Sequence, residues 1–228
     1  MIDGIDISVA NDSILTHADD VDFEKVYAAG NRFAIFKATE AEHYVDPQFL
    51  AFVERASKTP LVLGAYTFAR VDESAKDDAQ GFVAATDSVR SKLRLAPIFD
   101  LETRTKGMTA QQTVDFTIEW MLEHVRLRGC GLILYSYGAF LRQLVQELGG
   151  PKSAGAQELV QFPLAIAHYT NAAKPDLSGL PWTDWALWQW AAGDPNGPIG
   201  HVDGVKTPVD RDRFNGDDLS WLLSSLPE

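Results

Sequence analysis

Short apolar segments typical of buried strands alternate with segments of helical periodicity along much of this 228-residue chain. Five strand and helix units follow one another, and three further strand-like segments then occur with little helical pattern between them. Strands that alternate with helices predict a mainly parallel sheet that is buried on both faces. The predicted strands are Ile2–Ser8, Phe33–Glu40, Leu61–Phe68, Leu95–Asp100, Gly131–Ser136, Leu164–Tyr169, Ala186–Trp190 and Val209–Arg213.

Helices are predicted from capping residues and from apolar side chains at helical spacing. Asp46 followed by Pro47 is typical of an N-cap and a first helical residue, and Thr109 with Gln112 forms a capping-box pattern that opens a helix ending at Gly129. A long helix is expected over about Asp72–Lys92, a further one over Gly138–Leu148 and a closing one over Leu219–Leu226. The apolar residues expected on buried helix faces are Phe23, Val26, Tyr27, Phe49, Leu50, Val53, Ala56, Ala75, Ala79, Phe82, Val83, Val114, Ile118, Met121, Leu122 and Val125, whereas the acids Asp72, Glu73, Asp77 and Asp78 are expected on a solvated surface.

Eight strands in a chain of this length predict an α/β fold of the TIM-like barrel type with its last helices missing or reduced, and an open doubly wound sheet is the alternative. The barrel is favoured because polar or aromatic residues stand at the C-terminal ends of nearly all the strands, and these ends meet at one face of a closed barrel. No long linker divides the chain, so we expect a single barrel domain over residues 1–228. The strand-end residues are Asp6, Glu40, Tyr66, Asp100, Glu102, Tyr135, Tyr169, Gln189, Trp190 and Asp210.

Two carboxylates one residue apart, Asp100 and Glu102, follow the apolar segment Ala96–Phe99. Because the side-chain period of a strand is two, both should point the same way, with Cα atoms roughly 6.5 Å apart if the chain stays extended. Each charge then raises the other's pKa, and one group could stay protonated near neutrality, as in a glycosidase. The alternative is a pair of solvated acids at the start of a loop.

Composition and charge exclude several classes of protein. The formal net charge of −12 argues against a nucleic-acid groove or an anionic membrane surface, since both need clustered Lys and Arg. No apolar run reaches the ~20 residues of a membrane span. The first residues also lack the basic and apolar regions of a signal peptide. If the protein acts outside the cytoplasm, the sequence does not indicate how it is exported. Cys130 follows a glycine at the start of an apolar run and is expected to be a buried structural thiol.

The ordered set of short motifs in this chain resembles that of the glycoside hydrolase family 25 lysozymes, which cleave the β-1,4 bond after N-acetylmuramic acid in bacterial peptidoglycan. The resemblance covers about the whole chain and implies a (β/α)5β3 barrel, in agreement with the count of units above. The matching segments are Gly4–Ser8, Phe36–Glu40, Val45–Phe49, Gly64–Phe68, Phe99–Glu102, Leu134–Ser136, Ala167–Tyr169, Leu187–Trp190 and Val209–Asp210.

The resemblance implies a role for each acid. Glu102 would be the general acid that protonates the leaving sugar oxygen, and Asp100 the second carboxylate, which orients an N-acetyl group or stabilises charge at the anomeric carbon. Asp6 and Asp210 would complete the acidic site, with Asp3 and Asp212 as sequence neighbours that could replace them. Such hydrolysis needs a proton donor and nearby negative charge but no metal or organic cofactor. The expected partner is a peptidoglycan glycan strand at the bacterial cell wall, and the expected state is a monomer without nucleic-acid or membrane partners.

Further residues are expected to contact the substrate. Tyr66, Tyr135 and Tyr169 would present hydroxyl groups to the groove unless they are buried and satisfied, and Gln189 would join them. Trp190 is expected to face the groove, where aromatic rings stack on sugars. Lys37 lies in an apolar run and needs an acidic partner, whereas the alternative is a lysine that extends its ammonium group to solvent. Glu40, at the end of the same strand, is the last substrate-binding candidate.

Three departures from the family pattern and two rival functions stay open. Val9–Asn11 stands where many members have Trp-Gln, Thr67 where the family often has His, and Ala41 where Gly is common, all expected beside the groove.

One rival function is that of a glycan-binding barrel that has lost catalysis. The other is a metal-dependent hydrolase, although the histidines show no metal-ligand spacing and no G-x-S-x-G segment supports a serine nucleophile. The histidines are His17, His43, His124, His168 and His201.

Overall fold

A closed β-barrel forms the centre of the computed structural model, which describes residues 1–11, 21–71, 74–192 and 197–222. The sheet closes because the first strand, β1 (Ile2–Ile7), pairs with both β2 (Phe33–Glu40) and the last strand, β9 (Asp210–Phe214). A short strand, β3 (Tyr44–Val45), pairs only with β2 and lies outside the ring. The other strands of the ring are β4 (Val62–Phe68), β5 (Ile98–Asp100), β6 (Ile133–Tyr137), β7 (Leu164–Ala167) and β8 (Leu187–Ala191).

Strand direction changes only at the end of the ring. Each neighbouring pair from β1–β2 round to β7–β8 is parallel, whereas β9 runs antiparallel to both β8 and β1. The sequence placed Asp210 at the C-terminal end of its strand, and this is wrong because Asp210 is the first residue of β9. The reversed direction of β9 nevertheless brings Asp210 to the rim where the parallel strands end, opposite Asp6 on β1.

Five strand and helix units followed by three strands are present, so the predicted (β/α)5β3 barrel is confirmed. One short helix, α6, was not predicted. The long helix expected to Lys92 ends earlier and continues as a 3₁₀ turn over Asp87–Lys92, and the described part of the expected closing helix is a 3₁₀ turn over Leu219–Leu222. The helices are α1 (Phe23–Ala28), α2 (Phe49–Ala56), α3 (Ala75–Thr86), α4 (Ala110–Arg128), α5 (Gly138–Glu147) and α6 (Ala154–Leu159).

The apolar core has two layers that match the two faces of the barrel wall. A small cluster fills the barrel interior and includes Phe33, Ile35, Ile98 and Phe214. A larger cluster lies between the wall and the helices, where Phe23, Phe36 and Phe52 pack with ring centroids 5.8 to 6.2 Å apart. The interior cluster fills the barrel below its C-terminal rim, which leaves the cavity at that rim as the place where barrel enzymes of this type bind their ligands.

Three of the predicted buried helix positions are wrong. Leu50, Leu122 and Val125 are 49%, 66% and 39% exposed, whereas Phe52 on α2 and Trp120 on α4 are fully buried. The capping box of Thr109 and Gln112 is present as predicted, and α4 ends at Gly129 with a φ of 72°. Helical periodicity thus located the helices and most of their buried positions correctly, and its errors fall on α2 and α4.

Asp78 is buried, and its predicted place on a solvated surface is wrong. The side chain is 0% exposed on the barrel side of α3. The hydroxyl group of Thr67 on β4 lies 3.5 Å from Asp78 Oδ1, and the Thr39 hydroxyl on β2 donates to Thr67 Oγ1 at 2.8 Å. This buried polar network joins α3 to two strands. Asp72 and Glu73, predicted on the same surface, lie outside the described residues.

Asp46 stabilises the start of α2, but not as the predicted N-cap. The helix begins at Phe49 with Gln48 as its flanking residue. Asp46 lies earlier, is 2% exposed, and accepts hydrogen bonds from the backbone N–H groups of Val9 at 2.9 Å and Gln48 at 2.8 Å. One carboxylate therefore joins the loop after β1 to the loop before α2.

Candidate active site

A cavity of about 220 Å³ opens at the C-terminal rim of the barrel. Its floor is apolar, and acids from three separate parts of the chain surround its mouth: one on β1, two at the end of β5, and two on β9. Only closure of the barrel brings these segments together, since they are far apart in sequence. The lining residues are Asp6, Ile35, Tyr66, Phe68, Ile98, Asp100, Glu102, Tyr135, Ala165, Tyr169, Leu187, Gln189, Asp210 and Asp212.

Asp6 and Asp212 form a buried pair of carboxyl groups. β1 and β9 run antiparallel beside each other, and the two side chains are hydrogen-bonded to one another. Burial raises the pKa of Asp6 well above its usual value, and the charge of Asp212 raises it further. Burial, together with the charge of Asp210, raises the pKa of Asp212 to about 7. Two carboxylates in contact cannot both be ionised cheaply, so this pair shares a proton near neutral pH.

Gln189 links the acid pair to two tyrosines. Its side-chain amide nitrogen donates to Asp6 Oδ2 at 2.8 Å, while its oxygen accepts the hydroxyl groups of Tyr135 and Tyr169, both at 2.8 Å. Burial first, and then the charges of nearby acids, raise the pKa of both tyrosines above the usual value, so their hydroxyl groups remain protonated donors. The network holds Gln189 in one orientation and fixes three hydrogen-bonding side chains beside the acids.

Asp100 and Glu102 lie at the end of β5. Burial raises the pKa of Asp100 well above its usual value, and the charges of Glu102 and Asp6 raise it further, whereas Lys37 lowers it. Burial also raises the pKa of Glu102, whereas the neighbouring Tyr135 hydroxyl group lowers that pKa. Glu102 is only partly buried and sits at the opening, whereas Asp100 is 7% exposed and its Oδ1 has no hydrogen-bond partner among the described residues. The site thus holds an accessible carboxyl group with a raised pKa next to further acids, which is the chemistry that acid catalysis requires.

Eight of the eleven residues selected from the sequence line this cavity, and Asp212 lines it as well. The sequence had left Asp212 open as a replacement for Asp210, but both line the cavity. Asp3 does not, because its carboxylate pairs with Arg213 at 3.0 Å. Phe68 is a lining residue that sequence reasoning missed. The signal was available, since Phe68 is two residues after Tyr66 on a strand and so shares its face.

Lys37 and Glu40 stand beside the cavity without lining it. Lys37 Nζ lies 2.7 Å from Glu40 Oε2, and Arg70 pairs with the same carboxylate. Both cations pack over the ring of Phe68, at 5.2 and 5.6 Å from its centroid. The acidic partner expected for Lys37 is therefore Glu40 rather than one of the central acids.

The structure does not bring Trp190 to the cavity, so its expected orientation toward the groove is wrong. Leu187 and Gln189 on β8 face the interior, and alternation turns Trp190 to the outer face. There the guanidinium carbon of Arg213 lies 4.1 Å from the centroid of the Trp190 ring. Trp190 instead belongs to the packing between barrel and surface.

Two of the departures from the family pattern also have a structural setting. Thr67 is 0% exposed and belongs to the buried network with Thr39 and Asp78, so its expected place beside the groove is wrong. Ala41 follows β2 directly and has a φ of 56°, a left-handed conformation that glycine adopts more easily.

Among the described residues, no group of three or more His, Cys, Asp or Glu side chains is arranged to hold a metal ion, and no helix is long and apolar enough to cross a membrane.

Comparison with known proteins assigns this chain to a family. The sequence model for glycosyl hydrolases family 25 matches residues 6–196. Lysozyme M1 of Streptomyces globisporus is 27% identical over 226 residues, which are 94% of this chain and 68% of that protein. The uncharacterized protein YegX of Escherichia coli K12 is 28% identical over 199 residues, which are 86% of this chain and 65% of that protein.

Solved structures share the fold. The bacterial lysozyme of Streptomyces coelicolor superposes with a TM-score of 0.76 at 24% identity, covering 97% of this chain and 95% of that one. The family 25 lysozyme of Aspergillus fumigatus gives a TM-score of 0.74 at 22% identity, covering 97% and 98%. Because the family model matches most of this chain and the barrel has the acid-lined rim described above, this chain belongs to glycosyl hydrolases family 25.

Proposed function

We propose that this glycoside hydrolase is a muramidase that hydrolyses the β-1,4 bond between N-acetylmuramic acid and N-acetylglucosamine in bacterial peptidoglycan. The observation that carries the proposal is the partly exposed carboxyl group of Glu102, with its raised pKa, at the mouth of an acid-lined cavity. The name of Lysozyme M1 supports the same activity. The site of action would be the bacterial cell wall, and residues 1–228 would act as one catalytic barrel.

In this mechanism Glu102 donates its proton to the glycosidic oxygen as the bond from that oxygen to the anomeric carbon breaks. The positive charge that develops on the sugar ring is stabilised by the nearby negative charge of the acid cluster. Water then adds to the anomeric carbon, and its proton returns to a carboxylate of the site. Asp100 would orient the N-acetyl group or stabilise the charged ring, and Asp6 and Asp210 would complete the acidic surface.

The remaining lining residues would bind the substrate. Tyr66, Tyr135, Tyr169 and Gln189 present protonated hydroxyl and amide groups that can hydrogen-bond to sugar hydroxyls. Lys37 and Glu40 would act from beside the cavity, Lys37 by lowering the pKa of Asp100. Trp190 would not contact the substrate, because its side chain faces away from the cavity.

Digestion of purified sacculi tests the proposal. The wild-type protein should release reducing ends, with muramic acid as the new reducing-end sugar, and Glu102→Gln should lower the rate by about 10²-fold or more, within the range of a general acid's contribution. Glu102→Gln should still bind sacculi, because the amide keeps the shape of the carboxyl group. Wild-type activity in Glu102→Gln, or glucosamine at the new reducing ends, would overturn the assignment, and loss of activity with a chelator would indicate the metal-dependent alternative.

A further inference from the structure

Glu102 lies beyond the end of a strand, in a segment without regular secondary structure. β5 ends at Asp100, and residues 101–109 form no helix or strand. A side chain in such a segment is not held by the hydrogen-bond pattern of a sheet or a helix. The general acid of the proposed reaction must nevertheless lie within hydrogen-bond distance of one oxygen atom of the substrate. Other contacts must therefore hold Glu102 in place.

Leu101, between the two acids, is fixed to the neighbouring strand β6. Its side chain is 0% exposed in the outer core, and its N–H group donates to the carbonyl oxygen of Tyr135 at 2.9 Å. Its carbonyl oxygen accepts a hydrogen bond from the hydroxyl group of Ser136, the next residue of β6, at 2.5 Å. Both polar groups of the Leu101 backbone are thus bound to one strand.

The hydrogen bond from Ser136 acts directly on the position of Glu102. A peptide group is planar, so the carbonyl oxygen of Leu101 lies in one rigid plane with the nitrogen and the Cα atom of Glu102. A contact that holds this oxygen therefore fixes the point from which the Glu102 side chain starts. Ser136 is 0% exposed and does not line the cavity, because Tyr135 faces the interior and alternation turns Ser136 to the outer side of the barrel wall.

From this geometry we propose that Ser136 is a positioning residue for Glu102 and acts through the carbonyl group of Leu101. The inference rests on the proposed function and deepens it, because it names a residue outside the cavity on which proton donation depends. Without the hydroxyl group, the buried carbonyl of Leu101 loses this donor, and its peptide plane would turn toward another one. A displacement of about 1 Å in an active site can cost about 10²-fold in rate. Removal of the hydroxyl group should therefore slow proton transfer to the substrate and leave the residues that line the cavity in place.

Two substrates with the same donor sugars test the proposal, because only one of them needs a proton donor. The first is a soluble peptidoglycan oligosaccharide, whose leaving sugar must be protonated, and the second is a dinitrophenyl glycoside, whose phenolate leaves without a proton. Ser136→Ala should lower kcat/KM about 10-fold on the oligosaccharide, mainly through kcat. On the dinitrophenyl glycoside kcat/KM should change by less than about 2-fold. Ser136→Cys keeps a weak hydrogen-bond donor of similar size and should show a smaller loss with the same selectivity.

A matched control separates positioning from stability. Thr117→Val removes another buried hydroxyl group that donates to a backbone carbonyl, at 2.9 Å within α4. Like Ser136→Ala, it should lower the urea concentration at the midpoint of unfolding, but it should leave kcat/KM on both substrates unchanged.

A double variant tests whether Ser136 acts through Glu102. Ser136→Ala should have almost no further effect on oligosaccharide cleavage in a Glu102→Gln background, because the amide cannot act as the acid that Ser136 positions. The full loss in that background, equal losses on both substrates, or no loss on either would overturn the proposal. A wild-type protein that cleaves neither substrate would instead refute the muramidase function itself.

Discussion

Asp212 is a buried acid whose ionisation should affect the stability of the fold. An exposed aspartate has a pKa of 3.8, whereas Asp212 in the fold has a pKa of about 7. The folded protein therefore binds more protons than the unfolded chain between these values, so stability falls as the pH rises through them. Above both values the carboxylate is buried in its charged form beside Asp6, and its cost is largest.

Asp212→Asn should stabilise the protein at pH 8 by up to about 4 kcal/mol, the free energy that corresponds to the raised pKa. The amide keeps a hydrogen bond to Asp6 and has no charge to bury. The difference between variant and wild type should largely disappear by about pH 4, where Asp212 is protonated in the fold and partly protonated in the unfolded chain. Urea unfolding at the two pH values measures it, and a variant with the same difference at both would contradict the raised pKa.

Ala41 carries backbone strain that its replacement by glycine should release. The left-handed conformation at a φ of 56° costs an alanine about 1–2 kcal/mol, and glycine adopts it freely. Glycine also stabilises the unfolded chain by about 0.5–1 kcal/mol through its greater conformational entropy, which offsets part of the released strain. Ala41→Gly should therefore stabilise the fold by about 0.5–1 kcal/mol. The matched control is Ala84→Gly on the exposed face of α3, which should destabilise by about 1 kcal/mol. Thermal or urea unfolding compares the two variants, and a destabilised Ala41→Gly would refute the strain.

At the scale of elements, the contact between the loop after β1 and the start of α2 depends on one carboxylate. Asp46→Ala leaves the backbone N–H groups of Val9 and Gln48 without their acceptors and should destabilise by about 2 kcal/mol. Asp46→Asn keeps one acceptor oxygen and should cost about half as much. Asp22→Ala removes the N-cap side chain of α1, and its loss of unfolding free energy is the reference value for an ordinary N-cap. Urea unfolding should show the largest loss for Asp46→Ala, and equal losses in Asp46→Ala and Asp46→Asn would show that the acceptor oxygen kept by the amide contributes nothing.

The strands and helices, and most of their buried apolar positions, were predictable from local patterns, whereas the partners of buried polar side chains were not. Gly129 and the capping box at Thr109 define the ends of α4 through chemistry within a few residues. By contrast, the burial of Asp78 depends on Thr67 and Thr39, which lie on two strands elsewhere in the chain. Acids on a helix are usually solvated, and no local pattern shows that a hydroxyl on the barrel wall will face one of them.

At the scale of the molecule, the candidate site depends on the closure of the ring. Strand periodicity predicted that Asp100 and Glu102 share a direction, and the family resemblance added Asp6 and Asp210. Neither could predict that β9 runs antiparallel, which places Asp212 against Asp6 and completes a hydrogen-bonded acid pair. The pairing of the first and last strands is a long-range contact, so its register had to come from the structure.

If the protein acts on the bacterial cell wall as proposed, its net charge should affect the rate of that reaction. At −12 the protein repels sacculi, whose peptide carboxylates make them anionic, and this repulsion extends about 30 Å at 0.01 M salt but only about 8 Å at 0.15 M. The rate of sacculus digestion should therefore rise severalfold as the salt concentration increases over this range. Hydrolysis of a short peptide-free oligosaccharide that contains N-acetylmuramic acid should change much less, because this substrate carries few charges, and it serves as the control. A digestion rate that is highest at the lowest salt would contradict this effect of the net charge.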